Sequence, residues 1–302
     1  MPKFFIGTAG WSYKDWVPAF YPKQQSGGFD WLQFYSHYFN CVEVNSTYYS
    51  YLSPRVVESW ARKVIDSEDF IFTVKLHQDF THKKNFDEQK IKAVNYNLDI
   101  LSKAGRLGGL LIQFPYSFPF SDVTADYVRR LSEIFQSYNL FLEVRHASWQ
   151  NAQAMVLFKK LNLTFCTIDQ SQIGKAISFE PVITNGRAYI RFHGRNVEAW
   201  MKSIRSYGNE QSYEAQSERY KYLYSPGELV EIQQKIKEVQ EKVKEVYVIM
   251  NNHPQGDAVA NAFELIHLLE EKIKIDMPAT TTKAFPRLQA ISENYGTQMS
   301  LI

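Results

Sequence analysis

Eight short apolar runs alternate with helix-length segments along the chain, and this alternation constrains the fold more than any other feature. The runs are Phe4–Gly7, Val42–Asn45, Phe70–Lys75, Gly109–Gln113, Phe141–His146, Thr164–Ile168, Ala188–His193 and Val246–Asn251. Their length and their many aromatic and β-branched residues predict strands. Near-continuous apolar runs are typical of parallel strands that helices cover.

Segments with helical spacing separate most of these strands. They are Phe29–Phe39, Pro54–Val64, Glu88–Lys103, Asp122–Gln136, Asn151–Leu161, Glu228–Glu245 and Asp257–Glu271, with Asp257 expected to cap the last of them. Eight strands that alternate with helices predict an α/β fold, a single-domain (β/α)8 barrel of the TIM type over residues 1–275. An open doubly wound sheet is the alternative, but no glycine-rich phosphate fingerprint follows the first strand.

Three segments fall outside this alternation. Residues 170–187 show no helical pattern, and a long loop is expected after the seventh strand. Residues 276–302 lie beyond the last predicted helix and are expected to form a C-terminal tail. The sequence shows no internal repeat that would divide the barrel into smaller units.

Composition narrows the class of protein. The chain has 302 residues, 45% of them hydrophobic and 22% charged, as expected for a globular protein with a large core. A net charge of +2 gives no global argument for nucleic acid binding. Cys41 and Cys166 lack zinc-finger spacing, which favours buried free thiols in a cytoplasmic protein. Residues 1–20 lack a signal-peptide pattern, and no run of about 18 apolar residues predicts a membrane span.

Charged residues occur in pairs at the carboxyl ends of the predicted strands. Glu143 and Arg145 lie two residues apart, so their side chains point to the same face of a strand. The same spacing recurs at Glu43 and Asn45, at Lys75 and His77, and at Arg191 and His193. Charges on otherwise apolar strands need partners or a function, so we expect this face to line the barrel interior and mouth.

Short motifs in the strands and loops also resemble a known family. They include GTAGWSYKDW at 7–16, VEVNSTYY at 42–49, LLIQFP at 110–115, EVRHASW at 143–149, AYIRFHGR at 188–195, YLYS at 222–225 and NNHPQGDAVANA at 251–262. In this order they resemble the DUF72 (YecE-like) family, although Ala9 stands where the family pattern usually has serine. The resemblance implies a TIM-type barrel, distantly similar to the endonuclease IV and xylose isomerase barrels, and implies no established reaction.

The polar residues at the mouth predict a site. We predict catalytic roles for Glu43, Lys75, Glu143 and His193. The predicted substrate-binding residues are Trp11, Asn45, Tyr48, Arg145, Asp169, Arg191, Gly194, Arg195, Asn251 and Gly256. Alternatively, the glutamates form structural salt bridges with arginine, and Lys75 is a buried ion-pair partner. As a functional group, Lys75 would bind an anion or form a Schiff base.

The loops after the seventh and eighth strands predict an anion site. Gly194 and Gly256 would let the backbone approach an anion closely, and Arg195 would supply a permanently charged donor. Barrels of this type frequently bind phosphate at these loops. We therefore expect sulfate or phosphate between these three residues, with Arg145 or Lys75 on its inner side. Ordinary barrel turns are the alternative explanation for both glycines.

Three functions remain open from the sequence. The first is an enzyme or ligand-binding barrel, without cofactor or metal, for a phosphorylated, nucleotide-like or otherwise anionic small molecule. The second is a metal-assisted hydrolase, whose acceptable ligands would be Glu43, Glu143, Asp169 and His193. The lysine and arginines of the same ring would oppose a bound cation. The third is a nucleic-acid-binding protein without catalysis. The sequence does not indicate an oligomeric state.

Overall fold

Eight parallel strands close into a barrel, as the alternation predicts. The computed structural model describes residues 2–205 and 217–293. The strands are β1 (Lys3–Ala9), β2 (Cys41–Val44), β3 (Ile71–Lys75), β4 (Leu107–Gln113), β5 (Leu140–Glu143), β6 (Thr164–Asp169), β7 (Arg187–Phe192) and β8 (Glu245–Met250). Consecutive strands pair in parallel, and β8 pairs with β1, so the barrel has no open edge.

Helices surround the barrel. The α-helices are Trp31–Tyr38, Ser46–Tyr49, Pro54–Lys63, Gln78–Thr81, Glu88–Lys103, Asp122–Ile134, Ala152–Lys160, Val197–Arg205, Pro226–Gln240, Asp257–Leu269 and Ala279–Ala284. Short 3₁₀ helices occur at Lys14–Trp16, Ala147–Trp149, Glu218–Tyr220, Pro254–Gly256 and Pro286–Ile291. The (β/α)8 fold predicted from the sequence is therefore confirmed.

Two helices are capped by residues that the sequence prediction did not name as caps, Ser225 and Gly256. The helix Pro226–Gln240 begins two residues early because Ser225 and Glu228 form a capping box. The Ser225 hydroxyl accepts from the Glu228 N–H at 3.3 Å, and the Glu228 carboxylate accepts from the Ser225 N–H at 2.8 Å. Asp257 is the first residue of its helix and not its cap, because Gly256 precedes it in the left-handed conformation, with φ of 86°.

The segment after β7 is partly helical. It was expected to be a long loop, but it begins with the helix Val197–Arg205 and continues, after the undescribed residues 206–216, with the 3₁₀ helix Glu218–Tyr220. The segment between β6 and β7 contains no helix, as predicted for residues 170–187. Both segments begin at the carboxyl-terminal end of the barrel and return towards its amino-terminal end.

Residues 276–293, which belong to the predicted tail, pack against the barrel. Leu288 is fully buried, and the Arg287 guanidinium contacts the Glu264 carboxylate at 2.7 Å. Arg287 also donates to the carbonyl oxygen of Tyr224 at 2.7 Å. Through these contacts, the C-terminal segment supports the chain that runs past the barrel mouth. The rest of the predicted tail, residues 294–302, lies outside the described residues.

Aromatic rings fill the barrel interior near the amino-terminal ends of the strands. Phe5, Phe141, Tyr189 and Tyr247 contact one another with ring centroids 4.3 to 5.5 Å apart. Residues two apart on a strand share a face, so Arg191 lies in the layer above Tyr189. The barrel interior is therefore packed with aromatic side chains at its amino-terminal end and charged towards its carboxyl-terminal mouth, where barrels of this type bind ligands.

Both cysteines lie in this core. Cys41 and Cys166 are buried and free, as the sequence predicts. Burial raises the pKa of both thiols well above the usual range, so both remain protonated. Of the helices in the described parts of the chain, none combines the length and apolar content that crossing a bilayer requires.

Candidate functional site

A buried arginine joins two glutamates across the barrel interior. Arg191 from β7 contacts Glu43 from β2 through Nη2 and Oε1 at 2.6 Å, and its Nη1 pairs with Oε2 of Glu143 from β5. The side chains are 0 to 1% exposed. The hydroxyl of Tyr189 donates to Glu43 Oε2 at 2.8 Å. These contacts place all three charged residues on the inner face, as their spacing predicts.

A second arginine, Arg145, also contacts Glu143. Nε of Arg145 donates to Oε1 of Glu143 at 2.9 Å. Burial alone would raise the pKa of Glu143, but Arg191 and Arg145 lower it well below its usual range. Glu143 is therefore ionised at neutral pH and has no proton to give as a general acid. Within this cluster, the two carboxylates of Glu43 and Glu143 balance the two guanidiniums.

His193 lies beneath the barrel mouth, and its contacts define which ring nitrogen carries the proton. Its Nδ1 is 2.8 Å from Nδ2 of Asn251, and an amide nitrogen can only donate, so Nδ1 is the acceptor. Burial lowers the pKa of His193 to about 3, so the ring is neutral at pH 7. Its proton therefore resides on Nε2, which faces Oε1 of Glu143 at 3.5 Å. This fully buried ring orients Glu143 and does not reach the open mouth.

Lys75 differs from the other charged residues of the mouth. It ends β3, it is half-buried, and no carboxylate in the described part of the chain lies within ion-pair distance of its Nζ. Its Nζ lies 4.2 Å from the ring centroid of Tyr48. Burial, followed by the charge of Arg191, lowers the pKa of Lys75 to about 7. The charged and titratable groups around it are Glu43, Tyr48, His82, Glu143, Arg145 and Arg191.

A cavity of about 120 Å³ opens above the charged cluster. Five predicted site residues line it: Asn45, Lys75, Arg145, Arg191 and Asn251. The side-chain oxygen of Asn45 is buried and has no hydrogen-bond partner in the described structure. Of the four predicted catalytic residues, Lys75 lines this cavity, whereas Glu43, Glu143 and His193 lie beneath it and hold its floor in place.

The sequence prediction missed part of the cavity wall. Tyr13, Arg219, Tyr220 and His253 also line the cavity. The ring of Tyr13 stacks on His253 with centroids 4.5 Å apart, and the Arg219 guanidinium lies 4.9 Å from the ring centroid of Tyr220. Tyr13 lies in the GTAGWSYKDW motif and His253 in NNHPQG, so the motifs pointed to them. Arg219 and Tyr220 follow a segment without recognisable periodicity and carried no such signal.

The predicted anion site after β7 is occupied by protein groups. Arg195 contacts Asp169 through Nη2 and Oδ2 at 2.7 Å and Glu228 through Nη1 and Oε1 at 3.0 Å. The Gly194 N–H donates to the hydroxyl of Tyr224 at 3.0 Å. Arg195 is therefore paired with two carboxylates, which would repel an anion at this position.

Three other predicted binding residues, Trp11, Tyr48 and Gly256, are not part of the cavity lining. Gly256 faces Ala19 and Phe285, and a Cβ at this glycine would lie 3.2 Å from the Cβ of Ala19. Trp11 packs edge-on against Trp60 with centroids 5.5 Å apart. Tyr48 lies beside Lys75 at the rim of the mouth. Neither Gly256 nor Trp11 lines the cavity above Arg191.

The carboxylates considered as metal ligands are paired with arginine side chains. Arginines contact the carboxylates of Glu43, Glu143 and Asp169 at the distances given above. Among residues 2–205 and 217–293, no three His, Cys, Asp or Glu side chains are grouped so that they could hold a metal ion.

Comparison with known protein sequences identifies relatives. Residues 5–285 match the family model described as protein of unknown function DUF72. The UPF0759 protein YunF of Bacillus subtilis is 29% identical over 279 residues, which cover 88% of this chain and 94% of YunF. The UPF0759 protein YecE of Escherichia coli is 28% identical over 142 residues, which cover 47% of this chain and 48% of YecE.

Solved structures agree with the sequence comparison. A DUF72 family protein from Thermotoga maritima aligns with a TM-score of 0.77 and 31% identity, over 89% of this chain and 99% of that protein. A DUF72 family protein from Enterococcus faecalis aligns with a TM-score of 0.75 and 23% identity, over 88% of this chain and 95% of that protein, and supports the fold alone. The motif resemblance is confirmed, and the chain belongs to the DUF72 family of proteins of unknown function.

Proposed function

We propose that the protein is an enzyme that binds a small anionic molecule in the cavity at the barrel mouth. The observation that carries this proposal is the position of Lys75, which lies beside Arg145 and Arg191 and has no carboxylate within ion-pair distance in the described part of the chain. The ligand would carry a phosphate or carboxylate group. Burial shifts the pKa of Lys75 close to neutral. Such a shift is typical of catalytic groups, which favours an enzyme over a binding protein.

The charge balance of the mouth favours an anion. The carboxylates of Glu43 and Glu143 are matched by the guanidiniums of Arg191 and Arg145. Lys75, which lines the cavity, adds a positive charge to this balanced cluster. A buried cation without a partner costs free energy, and a bound anion would offset that cost.

Arg145 has donors to offer such a ligand. It uses Nε for Glu143, and its two Nη atoms make no hydrogen bond to any residue that the structure describes. Its side chain is 13% exposed, so it reaches the cavity while Glu143 fixes its orientation. A guanidinium held in this way binds carboxylate or phosphate through two parallel hydrogen bonds.

Replacing Arg145 with glutamine tests the proposed binding site. We expect the affinity for sulfate, measured by isothermal titration calorimetry, to fall roughly 10- to 100-fold, because a charge-assisted hydrogen bond is worth about 1.5–3 kcal/mol. Glu143 keeps Arg191 as a partner in this variant, so the barrel should fold. Arg187→Gln is the matched control, because Arg187 pairs with Glu245 at the opposite end of β7.

Two results would contradict the proposal. One is that the wild-type protein does not bind sulfate, phosphate or a small carboxylate. The other is that Arg145→Gln and Arg187→Gln reduce sulfate affinity equally, which would indicate a nonspecific effect of net charge.

A further inference from the structure

The surroundings of Lys75 fit a reactive amine better than a structural cation. A structural lysine in a barrel interior is paired with a carboxylate, but the nearest glutamates here are held by Arg191 and Arg145. The face of the Tyr48 ring lies 4.2 Å from Nζ, and Lys75 lines the cavity. An aromatic face stabilises a cation while leaving the nitrogen able to change its bonding.

We propose that Lys75 attacks the carbonyl carbon of a small anionic aldehyde or ketone and forms a Schiff base with it, while Arg145 binds the anionic group. This inference rests on the proposed anion site and names the substrate class for it. The cavity of about 120 Å³ is several times the roughly 10–15 Å³ that one ordered water needs, so a molecule of a few heavy atoms fits.

The lowered pKa of Lys75 supports this chemistry. An amine must be neutral to attack, and a pKa of about 7 leaves roughly half of the Lys75 amines neutral at pH 7. An ordinary lysine, with a pKa near 10.4, is neutral in well under about one molecule in a thousand at that pH. Burial and neighbouring cations are the established means of activating a lysine nucleophile.

The step balances without a further reactant. The Nζ lone pair bonds to the carbonyl carbon, the carbon–oxygen π pair moves to oxygen, and one proton passes from nitrogen to that oxygen. A second proton, taken from solvent, lets the hydroxyl leave as water and gives a protonated carbon–nitrogen double bond. The resulting iminium has the same charge as the ammonium, so the face of the Tyr48 ring stabilises it in the same way.

Reductive trapping with glyoxylate tests the inference. The full-length protein is incubated with glyoxylate and cyanoborohydride at neutral pH, and the carboxymethylated lysines are located by peptide mass spectrometry. We expect Lys75 to be modified first, at least about tenfold faster than any surface lysine, because far more of its amine is neutral. Lys159→Arg is the matched control, because Lys159 is exposed on the outer helix Ala152–Lys160 and should not affect trapping at Lys75.

The Lys75→Arg variant separates this inference from the proposed function. Arginine keeps the positive charge but cannot form the iminium, so we expect glycolate, a carboxylate without the carbonyl, to bind the variant while trapping at this position is lost. If the wild-type protein binds glycolate but Lys75 is modified no faster than Lys159, the Schiff-base inference is wrong and the anion site stands. If neither glycolate nor glyoxylate binds and no selective trapping occurs, both are wrong.

Discussion

Replacing Glu143 with alanine is expected to lower the free energy of unfolding by roughly 3–5 kcal/mol, the usual effect of breaking a buried ion pair. Glu143 is fully buried and contacts both Arg191 and Arg145, so its removal leaves two guanidiniums with only the Glu43 carboxylate between them. Chemical denaturation of the variant and the wild-type protein measures the difference.

A surface pair provides the control. Glu58 and Arg62 lie one turn apart on the helix Pro54–Lys63 with 3.8 Å between their charged atoms, and both are exposed. Glu58→Ala should therefore change the free energy of unfolding by less than about 1 kcal/mol. An equally small effect of Glu143→Ala would mean that the buried cluster does not hold the barrel together.

Replacing Lys75 with methionine should change stability and binding in opposite directions. The substitution removes a half-buried cation that has no carboxylate partner among the residues that the structure describes. We therefore expect the free energy of unfolding at pH 6 to rise by about 1–2 kcal/mol, a value discounted because Lys75 is partly exposed. Sulfate affinity should fall at least about tenfold, because the variant lacks a cation at the proposed anion site. Denaturation and calorimetric titration measure the two effects.

The pH dependence of this gain has a definite sign. The pKa of Lys75 is lowered in the folded protein, so the unfolded chain binds its proton more tightly and the charge of Lys75 opposes folding most below about pH 7. The gain from Lys75→Met should therefore be large at pH 6 and shrink as the pH rises towards the unfolded value of about 10.4. Lys159→Met, which alters an exposed lysine, should show neither effect. A loss of stability on replacing Lys75 would instead indicate a structural ion pair.

The sequence could predict which charges enter the barrel but not which of them meet. The spacing of two residues in Glu143 with Arg145, and in Arg191 with His193, indicates one inward face from the geometry of a strand alone. The contact of Arg191 with both Glu43 and Glu143 depends on how far the strands are staggered around the closed barrel. That stagger arises from the packing of the whole sheet, which no local pattern reveals.

The partners of Arg195 could not be predicted from the sequence for a similar reason. Arg195 was correctly placed just beyond β7, where barrels frequently bind phosphate. Its partner Glu228 lies 33 residues further along and is brought there by the capping box that starts the helix Pro226–Gln240. The Ser225–Glu228 spacing signals a helix start, but nothing in the sequence shows that this start lies against Arg195.

The pKa of Lys75 can be measured directly by NMR. The Cε chemical shift of isotopically labelled lysine follows its protonation, and the Lys75→Arg variant identifies the Lys75 signal by its loss. We predict a pKa of about 7 in the free protein, raised by at least about one unit with saturating sulfate, because a bound anion favours the ammonium form. An ordinary lysine pKa near 10.4 that sulfate does not change would contradict the proposal that Lys75 is a partly buried cation that binds an anionic ligand.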